Sequence, residues 1–353
     1  MSKRIAFCAD GTWDGVGNNT NVYKMSKAIQ RIPGEQIVYY DDGVGEDGTP
    51  IEKLLGGAFG TGLFQKIKQG YSQISDVYEE GDELFIFGFS RGAYTARSLA
   101  GMIAACGLPT RQHDSHLVDT AFQAYRSKDP AQRKSILDSL AAYGLVSAPI
   151  TMVGVWDTVG SLGIPAIFGG VSNLIYGFLD TSLNPHVLNA YHAVAIDERR
   201  AEFPATLWTS QPAQGQTMEQ VYFCGVHCDV GGGYGDDQNG TALSDITLSW
   251  MMGKAQKLGL VFSAGVIADF PSPLDEKYAL DTKHESWNPI WLFPKSRDVA
   301  ANATLSNSVG VRCAEDGSYR PRNLNLLSGL PAPSYASSIA VSVTSTKAAA
   351  VSQ

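Results

Sequence analysis

Several features that would assign a chain to a class at once are missing here. There is no run of Lys and Arg able to follow a phosphate backbone, and the net charge is −8, so nucleic acid is not an expected partner. No stretch approaches the roughly 18 to 20 apolar residues that cross a bilayer. The few apolar residues between "MSKR" and Asp10 are too short for the apolar region of a signal peptide. Cysteine is scarce: Cys8, Cys106, Cys224, Cys228 and Cys313 are odd in number and irregularly spaced, which is no disulfide framework. The expectation is a chain made in the reducing cytoplasm, with export open only to a machine that reads no N-terminal signal. Charge is also low, 18% against 44% hydrophobic residues, with 37 Gly and 16 Pro among 353 residues. That is the profile of a compact, turn-rich domain large enough for a substantial core.

The apolar runs alternate with helical patterns. Arg4 to Ala9, Gln36 to Tyr40, Glu83 to Gly88, Ile150 to Trp156 and Gln220 to Val226 read as strands, each ending at a polar or glycine-rich cluster. Between them, Leu63 to Tyr78 repeats apolar residues at helical spacing, and "RGAYTARSLAGMIAACG" reads as a helix closed by Gly107 and Pro109. Helical patterns follow near Leu117 to Ser127, Pro130 to Tyr143 and Ser244 to Leu258, and around His192 in "LNAYHAVAIDERRAEF", and the rest to about Leu330 reads as irregular, Pro- and Trp-containing sequence. Near-continuous apolar strands alternating with helices predict a mainly parallel sheet covered on both faces. The expected organisation is one catalytic domain over residues 1–330, with a cap or insertion over 164–219 between two of its strands. Residues 331–353 are a low-complexity Ala/Ser/Val/Thr tail, mobile unless it docks as an edge strand.

The chemistry centres on "FIFGFSRGAYTAR". A serine hydroxyl is a poor nucleophile, so it needs exposure, a base within hydrogen-bond reach and donors for the developing oxyanion. In a G-x-S-x-G turn between strand and helix the glycines remove Cβ atoms that would collide, and the next amide points to the oxyanion site at the helix's positive end. Here those residues are Gly88, Ser90 and Gly92, and the amide is that of Arg91. On this pattern the order is serine, acid, histidine, each at the carboxyl end of a later strand.

"VGVWDTVG" supplies Asp157 and "VYFCGVHCDVGGGYG" supplies His227, both directly after apolar runs. An aspartate at a strand end is also a common turn cap, and Asp229 stays open as another acid. His192 is the competing base. A second oxyanion donor is expected from Gly11 or Thr12, after the first strand.

Metal and phosphate readings are less well supported. Cys224, His227 and Cys228 have no second ligand pair to complete a zinc tetrahedron. Asp229, Asp236 and Asp237 lack the spacing of a calcium loop, though Ca²⁺ in another geometry stays open; no other cofactor is expected. Gly56, Gly57, Gly60 and Gly62 in "LLGGAFGTGLF" lack the G-K-[ST] ending of a phosphate loop. A flexible apolar loop beside the cleft competes there with close backbone packing, and Ile164 to Leu179 is notably low in charge.

Together, "DGTWDGVGNNTNVYK", "GFSRGAYTAR", "GVWDTVG", "AIDERRAEF" and "GVHCDVGGGY" resemble the ordered motifs of a bacterial and fungal family of α/β-hydrolase-like proteins that includes type VI secretion lipase effectors. The resemblance implies Ser90 as nucleophile, Asp157 as acid and His227 as base, with phospholipase or related ester-hydrolase activity on membrane lipids. It also implies a secretion-apparatus or immunity protein as partner. Two alternatives stand beside it: a soluble carboxylesterase or deacylase for small or polysaccharide-linked acyl groups, and a non-catalytic interaction module on the same fold.

Overall fold

The computed structural model describes residues 2–11, 19–42, 58–111, 113–159, 181–235, 240–263, 276–289, 291, 293–321, 323–324 and 334–336. Its strands are β1 (Arg4–Ala9), β2 (Gln36–Asp41), β3 (Glu83–Phe89), β6 (Ile150–Trp156), β7 (Asn189–Ala195), β8 (Thr217–Phe223), β9 (Thr304–Ser306) and β10 (Ser334–Ala336), with β4 (Leu108–Pro109) and β5 (Leu145–Val146) forming a separate small pair. Helices are α1 (Asn21–Ala28), α2 (Ala58–Ser75), α3 (Ser90–Cys106), α4 (Ser115–Arg126), α5 (Pro130–Asp138), α6 (His227–Gly231), α7 (Leu243–Lys257) and α8 (Asn307–Glu315).

The eight-stranded sheet has the order β10-β9-β8-β7-β6-β3-β1-β2, and every pair in it is parallel. Parallel strands need helical crossovers, and these cover both faces. Strand β3 shows how: Leu84 and Ile86 belong to the buried cluster that holds Ile67 and Tyr71 of α2, Leu99 of α3 and Phe122 of α4, whereas Phe85, Phe87 and Phe89 belong to the one that holds Met25 of α1 and Trp250 of α7. A strand buried on both faces has no polar side to show, which is why β1, β3 and β6 read as continuous apolar runs.

The chain runs from β1 outward to β2 and then returns past β1 to β3, so the strand order reverses between β1 and β3. In an open parallel sheet, the crevice at the carboxyl ends beside such a reversal is where ligands bind.

Four expectations change. The stretch around His192 is strand β7, not a helix. Asn189 and His192 make it look amphipathic, but the sheet buries it. The insertion expected over 164–219 is therefore interrupted by a strand of the main sheet; residues 160–180, which hold the apolar Ile164 to Leu179 stretch, lie outside the described residues. The stretch before Leu330, expected to be irregular, contains β9 and α8, and Ser334–Ala336 of the tail docks on β9 as the edge strand. Gly60 and Gly62 fall inside α2 rather than a loop, while Gly56 and Gly57 lie outside the described residues. Among the described residues no helix is long and apolar enough to cross a membrane.

Candidate active site

Ser90 is the first residue of α3 and takes φ +58, a left-handed conformation rare for any residue with a Cβ. The flanking glycines make that turn sterically accessible. A Cβ on Gly88 would stand 2.4 Å from the Gly92 carbonyl oxygen, and one on Gly92 would stand 2.2 Å from that of Ala9. The elbow is thus pressed against the end of β1, next to the reversal in strand order. Asp157, directly after β6, has φ +39, again left-handed. Strained non-glycine backbone persists only where its surroundings hold it, and such positions cluster at working sites.

These two residues meet at His227, the first residue of α6. Its Nε2 lies 2.8 Å from Ser90 Oγ and its Nδ1 2.5 Å from Asp157 Oδ2. All three are nearly closed to solvent: Ser90 is 8%, His227 4% and Asp157 0% exposed. Burial alone would push the Asp157 carboxyl up, but the Arg297 charge and the His227 hydrogen bond override it and hold it well below the usual carboxylate range. An ionised carboxylate can only accept, so Nδ1 carries the proton and Nε2 is left to accept from the serine hydroxyl. Burial also holds the imidazole below its ordinary range, against the opposite pull of Asp157. The imidazole is therefore neutral around neutral pH, with Nε2 turned to the serine hydroxyl.

Two rings and one carboxylate hold His227 in place. The Phe89 ring lies 4.6 Å from it, tilted at 34°, and Phe203 meets it edge-on at 5.2 Å. Glu198, buried and charged, accepts from the His227 backbone N–H at 3.2 Å, from Arg200 Nε and Nη2 at 3.0 and 2.9 Å, and from Ser286 Oγ. Burial opposes its ionisation, yet Arg200 brings its carboxyl down to about 2.

The remaining candidates have other work. His192 is fully buried, accepts from the Thr158 N–H at 3.0 Å and faces Gln220 Oε1 at 3.4 Å. Burial, then the Arg97 charge, lowers it to about 3, so it is a neutral post that fixes the backbone following Asp157. Asp229 spends both carboxylate oxygens on the protein: Oδ2 accepts from the Val226 and His284 N–H groups and Oδ1 from His284 Nδ1 at 2.6 Å. It ties down the His227 turn; Asp236 and Asp237 lie outside the described residues. Among the described residues no group of three or more His, Cys, Asp or Glu could hold a metal ion.

Of the oxyanion candidates, Arg91 lies in the first turn of α3 beside Ser90, Gly11 turns its N–H to Asp10 Oδ1 at 2.9 Å, and Thr12 lies outside the described residues.

Sequence reasoning missed three participants: Arg297, Glu198 and His284. Glu198 stands in the motif "AIDERRAEF", where a buried acid had no partner in view. Arg297 and His284 come from sequence without motif or period.

Residues 3–254 match the family described as "T6SS, Phospholipase effector Tle1-like, catalytic domain". The chain belongs to this family. The motif resemblance and the family match therefore agree. Among curated proteins, this Tle1-like chain is 28% identical over 235 residues to the uncharacterized protein YEL023C of Saccharomyces cerevisiae. That alignment covers 60% of this chain and 33% of the yeast protein, so the chain spans about a third of that relative's length. Similar solved structures include the two that follow. One is an uncharacterized protein from Pseudomonas aeruginosa, at 18% identity and TM-score 0.47, covering 79% of this chain and 50% of that one. The other is the Tle1 effector bound to the VgrG spike from the type 6 secretion system, at 16% identity and TM-score 0.44, covering 79% and 78%.

Proposed function

We propose that this domain is a serine ester hydrolase that cleaves acyl esters of membrane lipids, a phospholipase of the Tle1-like family. The observation that carries the reading is the unbroken hydrogen-bonded line from Ser90 Oγ through the His227 imidazole to Asp157. Membership of a family described as phospholipase effectors supports the lipid as substrate.

In this reading His227 Nε2 takes the hydroxyl proton as Ser90 Oγ bonds to the ester carbonyl carbon. Asp157 holds the Nδ1 proton in place and stabilises the imidazolium that forms. The oxyanion develops at the positive end of α3, where the Arg91 amide is the proposed donor. His227 then gives its proton to the departing alcohol as the C–O bond breaks, leaving an acyl-Ser90 ester. Water, deprotonated by the same imidazole, releases the fatty acid and restores Ser90. Nucleophile, base and acid all come from this chain. The family's description as type VI effectors also supports delivery by that secretion apparatus, a component of which is the proposed partner.

The test compares wild-type and Ser90→Ala protein on phospholipid vesicles, on short p-nitrophenyl esters and with a fluorophosphonate probe. Free fatty acid from vesicles and probe labelling, both lost in the variant, are expected. Turnover of soluble esters with none on vesicles would move the substrate to the small-ester alternative. Labelling of Ser90→Ala to the wild-type extent would overturn the assignment of Ser90.

A further inference from the structure

The acid of the candidate triad has a partner that the Ser-His-Asp scheme does not require. Arg297 Nη1 donates to Asp157 Oδ1 at 2.5 Å and Nη2 to Asp157 Oδ2 at 2.8 Å, a two-pronged contact that engages both carboxylate oxygens. The guanidinium is buried, and its remaining bonds run to the Ala195 carbonyl at the end of β7 and the Phe203 carbonyl, both at 2.8 Å. Asp157 Oδ1 also accepts the Ala195 N–H at 2.9 Å. One side chain thus joins the acid, the end of the neighbouring strand and the loop whose Phe203 ring packs on His227.

Two needs of the site meet at this contact. Asp157 is fully buried with left-handed backbone, so its carboxylate requires both a counter-charge and something to hold its direction. A planar guanidinium supplies both, because two parallel N–H donors fix the carboxylate's plane as well as its charge. An ammonium in its place would supply the charge alone. Resting on the Ser90 reading above, we propose that Arg297 is a positioning residue of the reaction, holding Asp157 ionised and aimed at His227 Nδ1.

The other charged or titratable groups around the dyad are Glu198 and Arg200 beyond β7, His192 on β7 and Tyr222 on β8, with Ser90 opposite the imidazole. Arg297, in contrast, is a cation in direct contact with the carboxylate. Asp157 and His227 share protons, so the active form, carboxylate plus neutral imidazole, appears with one apparent midpoint belonging to the pair. Removing the adjacent cation makes the extra proton harder to lose, which moves that midpoint to higher pH.

The experiment measures the rate of fluorophosphonate labelling of the full chain against pH for wild type, Arg297→Gln and Arg297→Lys, with circular dichroism as the check on folding. Arg297→Gln should raise the midpoint of the acid limb by about one pH unit or more. Arg297→Lys should keep the midpoint near wild type while the plateau rate falls about tenfold or more, because the charge stays and the fork is lost. A purely structural arginine would lower the amount of folded protein and leave the midpoint of what remains unmoved. A labelled wild type with an unmoved Arg297→Gln midpoint would overturn the proposal. Should Arg297→Gln not fold, Arg297→Lys decides: a full plateau rate overturns it, and a reduced rate at an unmoved midpoint upholds it. An unlabelled wild type would remove the Ser90 reading itself, and the role of Arg297 with it.

Discussion

Gly92 stands so close to the end of β1 that a Cβ placed on it would fall 2.2 Å from the Ala9 carbonyl oxygen. The atoms it would meet are backbone at the carboxyl end of β1, at Ala9 and Asp10, and cannot swing aside as a long side chain could. Gly92→Ala should therefore displace the start of α3 from β1 and lower the melting temperature by several degrees. Gly235, where an added methyl group would meet nothing within 4 Å, is the control, and Gly235→Ala should melt within about 1 °C of wild type. Equal melting temperatures for the two variants would show that the elbow is not held by this contact.

Ser90 itself is held at a cost. Left-handed backbone in a residue with a Cβ costs about 1 to 2 kcal/mol, which glycine escapes while giving back about 0.5 to 1 kcal/mol in unfolded-chain entropy. Ser90→Ala and Ser90→Gly both lose the hydroxyl and its bond to His227, so their difference isolates the backbone. Ser90→Gly should melt about 2 °C above Ser90→Ala, with both inactive. The reverse order in a calorimetric scan would remove backbone strain from the account of this turn.

His192 offers a measurement at acid pH. Its folded value of about 3 lies below the ordinary histidine range near 6.5, so below that range the unfolded chain binds a proton that the folded chain refuses. Stability is thus unaffected by His192 above pH 6.5 and falls as pH drops toward 3, by up to about 1.4 kcal/mol per pH unit. Glutamine keeps an acceptor for the Thr158 N–H without the proton uptake. Urea midpoints measured at several pH values between about 4 and 7 should fall less steeply for His192→Gln than for wild type, and parallel slopes would refute the assignment.

Much of the site was legible because its chemistry is locally encoded. The Gly88, Ser90, Gly92 turn needs only its immediate strand and helix, and both announce themselves by period. Asp157 and His227 stand directly after apolar runs, so the order of a parallel sheet was enough to nominate them. A strand boundary favours His227 over His192; in the fold His227 faces Ser90 and Asp157, whereas His192 is itself in a strand, with its ring nitrogens facing Thr158 and Gln220. Strand β7 escaped because burial on both faces comes from helices elsewhere in the chain, and the segment's own Asn189 and His192 hide it.

By itself the sequence determined the layered parallel architecture, the serine turn and the placing of Ser90, Asp157 and His227 at successive strand ends, since each follows from residues within one strand and its following loop. Only the tertiary structure decided what surrounds them. Arg297 lies 140 positions from Asp157 and Ser286 lies 88 from Glu198, and no local pattern ties such residues together. They meet because the sheet brings the ends of β6, β7 and β8 side by side, where a buried carboxylate must find a cation or lose its charge.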